Sequence, residues 1–97
     1  MEEELQSIRN WISHGTLRQF YADVSVRMAE AGYEAEVEGN TLTCYRVRKE
    51  GGFLGIGARK IRETVLQIIR KDDTIEIPET SIDEEFVRDL AGMLKQH

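Results

Sequence analysis

The sequence predicts an α+β fold, an antiparallel β-meander of about four strands packed with two N-terminal helices and one C-terminal helix. Three observations carry that expectation. Apolar residues recur at helical spacing near both ends of the chain. Between them, Tyr33, Ala35 and Val37 alternate with Glu34, Glu36 and Glu38 before a Gly39-Asn40 pair. Helix-capping patterns stand at Thr16–Gln19 and at Ser81–Glu84.

The first helix is expected over Glu2 to Ser13. Leu5, Ile8 and Ile12 fall on one face with Trp11 beside them, and Glu2 to Glu4 sit in the first turn, where the helix dipole favours anions. Gly15 is read as its left-handed C′ residue. Thr16 and Gln19 then cap a second helix whose apolar stripe is Leu17, Phe20, Tyr21, Val24, Met28 and Ala31, closed by Gly32.

A two-residue turn at Gly39-Asn40 fixes the next register, with Val37 opposite Leu42, Ala35 opposite Cys44 and Tyr33 opposite Arg46. The second strand should run to about Lys49. Residues Arg59 to Arg70 have helical spacing at Ile61, Val65, Ile68 and Ile69, but their β-branched content and their basic start favour a strand. That strand would pair through Lys71-Asp72-Asp73 with Thr74 to Ile77, and Pro78 would end the pairing. Leu66 and Ile68 would then face one side, Val65 and Ile69 the other. Apolar residues on both faces call for cover on both, by helices or by a second copy of the chain, so a homodimer is one expectation. Ser81 and Glu84 are read as a capping box for the last helix, with Asp83, Glu84 and Glu85 in its first turn, Lys95 in its last, and a stripe of Ile82, Phe86, Leu90, Met93 and Leu94.

Ninety-seven residues fit a single α+β domain over 1–97. A core this small spares little room for a cavity of about 300–1,000 Å³, which argues against a deep catalytic pocket. Cys44 is the only cysteine, so an internal disulfide is excluded. The start Met1-Glu2-Glu3-Glu4 lacks the basic and then apolar pattern of a signal peptide, and the expected location is cytoplasmic. No apolar stretch approaches the roughly 18 residues of a membrane span.

The net charge is −5, against a general nucleic-acid binder. Its distribution is uneven. From Arg46 to Arg62 six basic residues (Arg46, Arg48, Lys49, Arg59, Lys60 and Arg62) meet one acid, whereas the rest of the chain carries seven basic and seventeen acidic residues.

Within that window lies a Gly-rich stretch, Gly51 to Gly57. Gly52 and Gly57 have Walker A spacing, but Ala58 and Arg59 stand where the lysine and hydroxyl would be. A dinucleotide pattern begins at Gly55-Ile56-Gly57 and fails at Lys60. Two readings remain for the stretch Gly52, Phe53, Leu54, Gly55, Ile56 and Gly57. It is a plain connection with its apolar residues tucked under the sheet, or an exposed partner-contact loop, whose glycine amides could also cradle an anion. The segment Gly-Phe-Leu-Gly-Ile-Gly followed by Ala-Arg-Lys resembles the turn of the N-terminal Jag domain of some bacterial RNA-binding proteins. In that domain the turn links two strands after a helix, and the resemblance implies the same for Gly52 to Lys60 and a link to RNA. That domain lacks the hairpin at Tyr33 to Cys44, and no KH-type module accompanies it here.

The basic residues likewise have a bland reading, a solvated strand end, and a functional one, a phosphate-contacting patch with Tyr45 and Phe53 for stacking. Insertion of the loop into an anionic membrane surface is opposed by the overall charge. Asp72-Asp73, Glu76-Glu79 and Asp83-Glu84-Glu85 lack calcium-loop spacing, and His14 and His97 lack partners at metal-ligand spacing, so neither metal nor cofactor is expected. Cys44 is read as a small buried hydrophobe. The sequence carries no catalytic motif. The expected function is a small non-enzymatic protein-interaction or adaptor domain with an unknown protein partner, and the alternative is nucleic-acid or polyanion binding through residues 46–62.

Overall fold

The spacing and capping patterns become three helices and one antiparallel sheet in the computed structural model, which describes residues 1–51, 57 and 59–95. Their order is α1 (Glu2–Ser13), α2 (Leu17–Glu30), β1 (Tyr33–Glu38), β2 (Thr41–Glu50), β3 (Arg59–Lys71), β4 (Thr74–Glu76), a 3₁₀ turn (Glu79–Ser81) and α3 (Glu84–Lys95). The strands lie side by side in sequence order. The expected α+β meander is therefore the fold, and the 59–70 segment is a strand despite its helical spacing. No described helix is long and apolar enough to cross a membrane.

The β1–β2 register is the one that the turn dictates: Val37 faces Leu42, Ala35 faces Cys44 and Tyr33 faces Arg46. Gly39 alone of the turn pair has positive φ, at 60°, as a type II′ turn requires. The hairpin sends Leu42 and Cys44 inward and Glu34, Glu36, Glu38, Thr43 and Tyr45 to the opposite, polar face. Leu42, Cys44, Leu66 and Ile68 meet Ile8, Ile12, Phe20, Val24, Met28, Phe86 and Leu90 in one core.

Four details depart from the expected pattern. Gly15 is absent from the glycines with positive φ, and α1 ends instead at His14 with φ −88°. What Gly15 supplies is room, since a Cβ there would lie 2.6 Å from the Gln19 Oε1 that caps α2. That capping box is present, with the Thr16 N–H donating to Gln19 Oε1 at 2.8 Å and the Gln19 N–H to Thr16 Oγ1 at 3.1 Å. Tyr21 and Ala31 are exposed rather than part of the α2 stripe. Ser81 does not cap α3. Its hydroxyl accepts from the Gln67 N–H of β3 and donates to Pro78 O, and Asp83 caps the helix by accepting from the Phe86 N–H at 3.0 Å. Aspartate competes well for this position, because a carboxylate also meets the helix dipole.

The fourth departure concerns β3. Its register on β2 shifts between Cys44 and Tyr45, with Cys44 opposite Leu66 and Tyr45 opposite Thr64. Val65 is the extra residue of a β-bulge. Such a residue leaves the strict alternation, and Val65 joins Leu66 in the core with no exposure at all. Of the apolar pair expected on the outer face, only Ile69 is there. The argument for a second copy covering that face loses one of its two residues.

Arginines fasten helix ends over long sequence separations. Arg70 Nη2 donates to Ile12 O and Gly15 O, both at 2.7 Å, and so terminates α1. Arg27 donates to Met93 O near the end of α3 at 2.5 Å. Arg9 donates to Ile75 O of β4 at 2.6 Å. Cationic donors are favoured at carbonyl-rich helix ends. Arg70→Ala leaves the Ile12 carbonyl of α1 and the Gly15 carbonyl just after it without that partner and is expected to cost about 2 kcal/mol, or roughly 10 °C of melting temperature. A melt unchanged within about 2 °C would mean that water replaces the guanidinium at no cost.

Candidate functional site

The β2–β3 hairpin outruns the rest of the sheet. β1 is last paired at Tyr33 with Arg46, and the Val47 N–H is taken by Gly32 O at 3.0 Å. Beyond that point, among the described residues, β2 and β3 pair only with each other through four further residue pairs: Val47 with Arg62, Arg48 with Ile61, Lys49 with Lys60, and Glu50 with Arg59. At roughly 3.3 Å per residue this arm projects about 10–13 Å, and the molecule is accordingly long, with extents of 49 × 27 × 24 Å. Gly51 and Gly57 stand where the arm ends, both with positive φ, 74° and 79°. Gly52, Phe53, Leu54, Gly55 and Ile56 lie outside the described residues, so the partner-contact loop expected there is represented by Gly57 alone.

The six basic residues singled out in the sequence all belong to the hairpin, and they divide into two groups. Arg46 stands at the base and is half-buried. Its guanidinium binds Asp83 through two hydrogen bonds of 3.1 and 3.2 Å, approaches Glu63 and Glu85, and lies 5.8 Å from the centre of the Tyr33 ring. The Tyr33 hydroxyl donates to Asp89 of α3 at 2.9 Å. Burial and that carboxylate raise the phenol above its ordinary range. Asp83 is held below the usual carboxylate range, first by Arg46 and then by the Phe86 N–H. This network locks α3 to β1 and β2.

On the outer face, Arg62 donates to Glu34 and Glu36 and lies 5.0 Å from the centre of the Tyr45 ring, and Lys60 pairs with Glu34. Both cations reach across β2 to β1. The Lys60 and Arg62 hydrogen bonds hold Glu34 below the usual carboxylate range. Arg48 pairs with Glu63 at 3.7 Å. Four of the six cations are thus already matched by carboxylates, and the face of Tyr45 proposed for stacking is covered by Arg62. Lys49 and Arg59 make no ion pair among the described residues. Lys49 stands opposite Lys60, and Arg59 stands opposite Glu50 without closing on it. Glu34, Glu36, Glu63 and Asp83 are the residues that sequence reasoning missed here. Their signal is parity: Glu34 and Glu36 share the face of Lys60 and Arg62 once the β2–β3 register is known.

Other features are structural in character. Cys44 is fully buried, and burial pushes its thiol up to about 12. It is expected to resist a thiol-specific reagent at pH 8 in the folded protein and to react at once in denaturant. Rapid labelling without denaturant would show that the β1–β2 hairpin opens. The surface carries open clefts. One of about 530 Å³ between α1 and α2 is lined by Trp11, His14, Gly15, Thr16, Gln19, Phe20 and Asp23. Its histidine bonds Asn10 O through Nδ1 at 2.6 Å. Among the described residues no three His, Cys, Asp or Glu side chains gather as a metal site.

Comparison with protein-family models, with curated proteins and with solved structures found no match to this chain.

Proposed function

We propose that this chain is a non-enzymatic interaction domain of the cytoplasm that contacts its protein partner through the β2–β3 arm. The observation that carries this reading is the continuation of the β2–β3 ladder from Val47 and Arg62 to Glu50 and Arg59 with no third strand on either side among the described residues. A two-stranded ribbon is marginal by itself in water, and unpaired strand edges invite association. Residues in such an arm add little to the core, so their role is sought outside the fold.

The test is excision. Replacing Val47–Arg62 by an Asn-Gly turn joins the facing pair Arg46 and Glu63 directly. The shortened chain is expected to melt within about 5 °C of the full one, because most of the described residues removed are exposed. Capture from extract with full and shortened chains should show specific proteins lost on excision. An identical set on both chains would remove the arm from the function.

A second reading, binding of nucleic acid or another polyanion by Arg46, Arg48, Lys49, Arg59, Lys60 and Arg62, is favoured by the Lys49–Lys60 juxtaposition, which an added anion would relieve. It requires amide shifts confined to the arm on titration with short RNA, with affinity falling in salt by a log–log slope of about −0.7 per phosphate contacted.

A further inference from the structure

The two edges of the arm are unequal. On the β2 side only Arg48 to Glu50 lie beyond the Gly32 bond to Val47. On the β3 side, β4 pairs only with Ile69, Arg70 and Lys71. The Gln67 N–H goes to Ser81 and Val65 O accepts from the Asp83 N–H at 2.8 Å. From Arg59 to Thr64, no other element pairs with the backbone on that side among the described residues. All of these residues are exposed except Ile61, which is half-buried. This open edge matches an ordinary strand of about five or six residues.

We infer that the partner is an acidic peptide segment that adds in extended form to the β3 edge, alongside Arg59 to Glu63. The inference rests on the arm being the contact element. Added strands gain main-chain hydrogen bonds from the edge and specificity from alternate side chains. Here those alternates are defined. Arg59 and Ile61 share one face of β3, and Lys60 shares the other with Lys49 of β2. The fitting segment places a carboxylate beside Arg59, an apolar side chain two residues away beside Ile61, and a second carboxylate toward Lys60 and Lys49.

Two other occupants fit less well. An antiparallel copy of β3 centred on Ile61 would set Lys60 against Arg62 of the other chain, a like-charge pair repeated by symmetry. A nucleic acid long enough for several phosphate contacts would meet a body with seven basic and seventeen acidic residues. At a screening length of about 8–10 Å that body repels it. A short peptide touches the arm alone.

The experiment is amide hydrogen exchange of the full chain with a blocked peptide carrying Glu-Glu-Val-Glu-Glu, which in either direction sets carboxylates beside Arg59 and Lys60 and valine beside Ile61. Three probes run beside it: the lysine analogue, the same peptide N-methylated at alternate amides, and mixed-sequence RNA and duplex DNA. Protection of alternate amides between Arg59 and Thr64, with none at Arg48 to Glu50, is the expected result. N-methylation should abolish it and the lysine analogue should fail. The double variant Lys49→Glu with Arg59→Glu, both exposed, should weaken the acidic peptide about tenfold and admit the lysine analogue. The inference is overturned if the N-methylated peptide binds equally, if only nucleic acid protects the arm, or if the double variant self-associates without any change in peptide affinity. If no peptide protects the arm yet arm excision still releases captured partners, the acidic-strand inference falls and the interaction reading stands. If excision releases nothing, both fall.

Discussion

Phe86→Ala is expected to cost about 4 kcal/mol and to lower the melting temperature by some 15–30 °C. Phe86 is fully buried in the first turns of α3, and its ring meets Tyr33 edge-on with centroids 4.7 Å apart at 71°. Truncation removes the transfer free energy of the ring, leaves a void, and forfeits the aromatic pair, itself worth about 0.5–1.5 kcal/mol. A domain of this size has a total stability of about 5–15 kcal/mol, so the variant approaches the unfolding threshold. Phe86→Leu keeps most of the volume and should cost about 1–1.5 kcal/mol. Thermal melts of the two variants side by side give the check. If Phe86→Ala melts within about 5 °C of the parent, α3 does not pack on the sheet as described.

Asp83→Ala is the next largest, at about 2–3 kcal/mol. It removes the α3 cap, worth about 1 kcal/mol, and two charge-assisted hydrogen bonds to Arg46. The Arg46 and Asp83 side chains are 24% and 30% exposed, and that partial exposure lowers the second contribution through solvent screening. A pH dependence follows. The Asp83 carboxyl is lowered in the folded state from its ordinary 3.8. The contribution is therefore fully present above the unfolded value and disappears as the pH falls through the lowered folded value. Between pH 7 and pH 5 the difference between parent and Asp83→Asn should be constant. Below about pH 4 it should shrink. A difference that instead shrinks on raising the pH from 5 to 7 would place the coupling at another group.

The hairpin and the helices were legible because each has a local cause. Gly39-Asn40 sets the β1–β2 register without help from the rest of the chain, and Thr16–Gln19 starts α2 within four residues. The β-branched content of 59–70 outweighed its helical spacing because strand partners were available on both sides. What was not legible is non-local. The Val65 bulge adds a residue that no residue type announces, and it decides which face Val65 takes. Ser81 satisfies the capping pattern as well as Asp83 does, but β3 claims its hydroxyl, and Arg46, 37 residues earlier, rewards a carboxylate at position 83. The basic window was plain in the sequence. Its neutralisation by Glu34, Glu36, Glu63 and Asp83 was not, since those partners become neighbours only when β1, β2, β3 and α3 have assembled.

The arginine that terminates α1 belongs to β3, 58 residues downstream of Ile12, and the arginine of α2 reaches a carbonyl 66 residues further on. A chain emerging from the ribosome therefore presents its first helical hairpin long before the groups that finish it exist. Nascent α1 waits without its stop and Arg27 without the α3 carbonyl that it holds, and closure of such distant contacts is slow. Folding of this domain is accordingly expected as one late cooperative event after α3 has emerged, and fragments cut at Gly39 or Gly51 should remain unstructured.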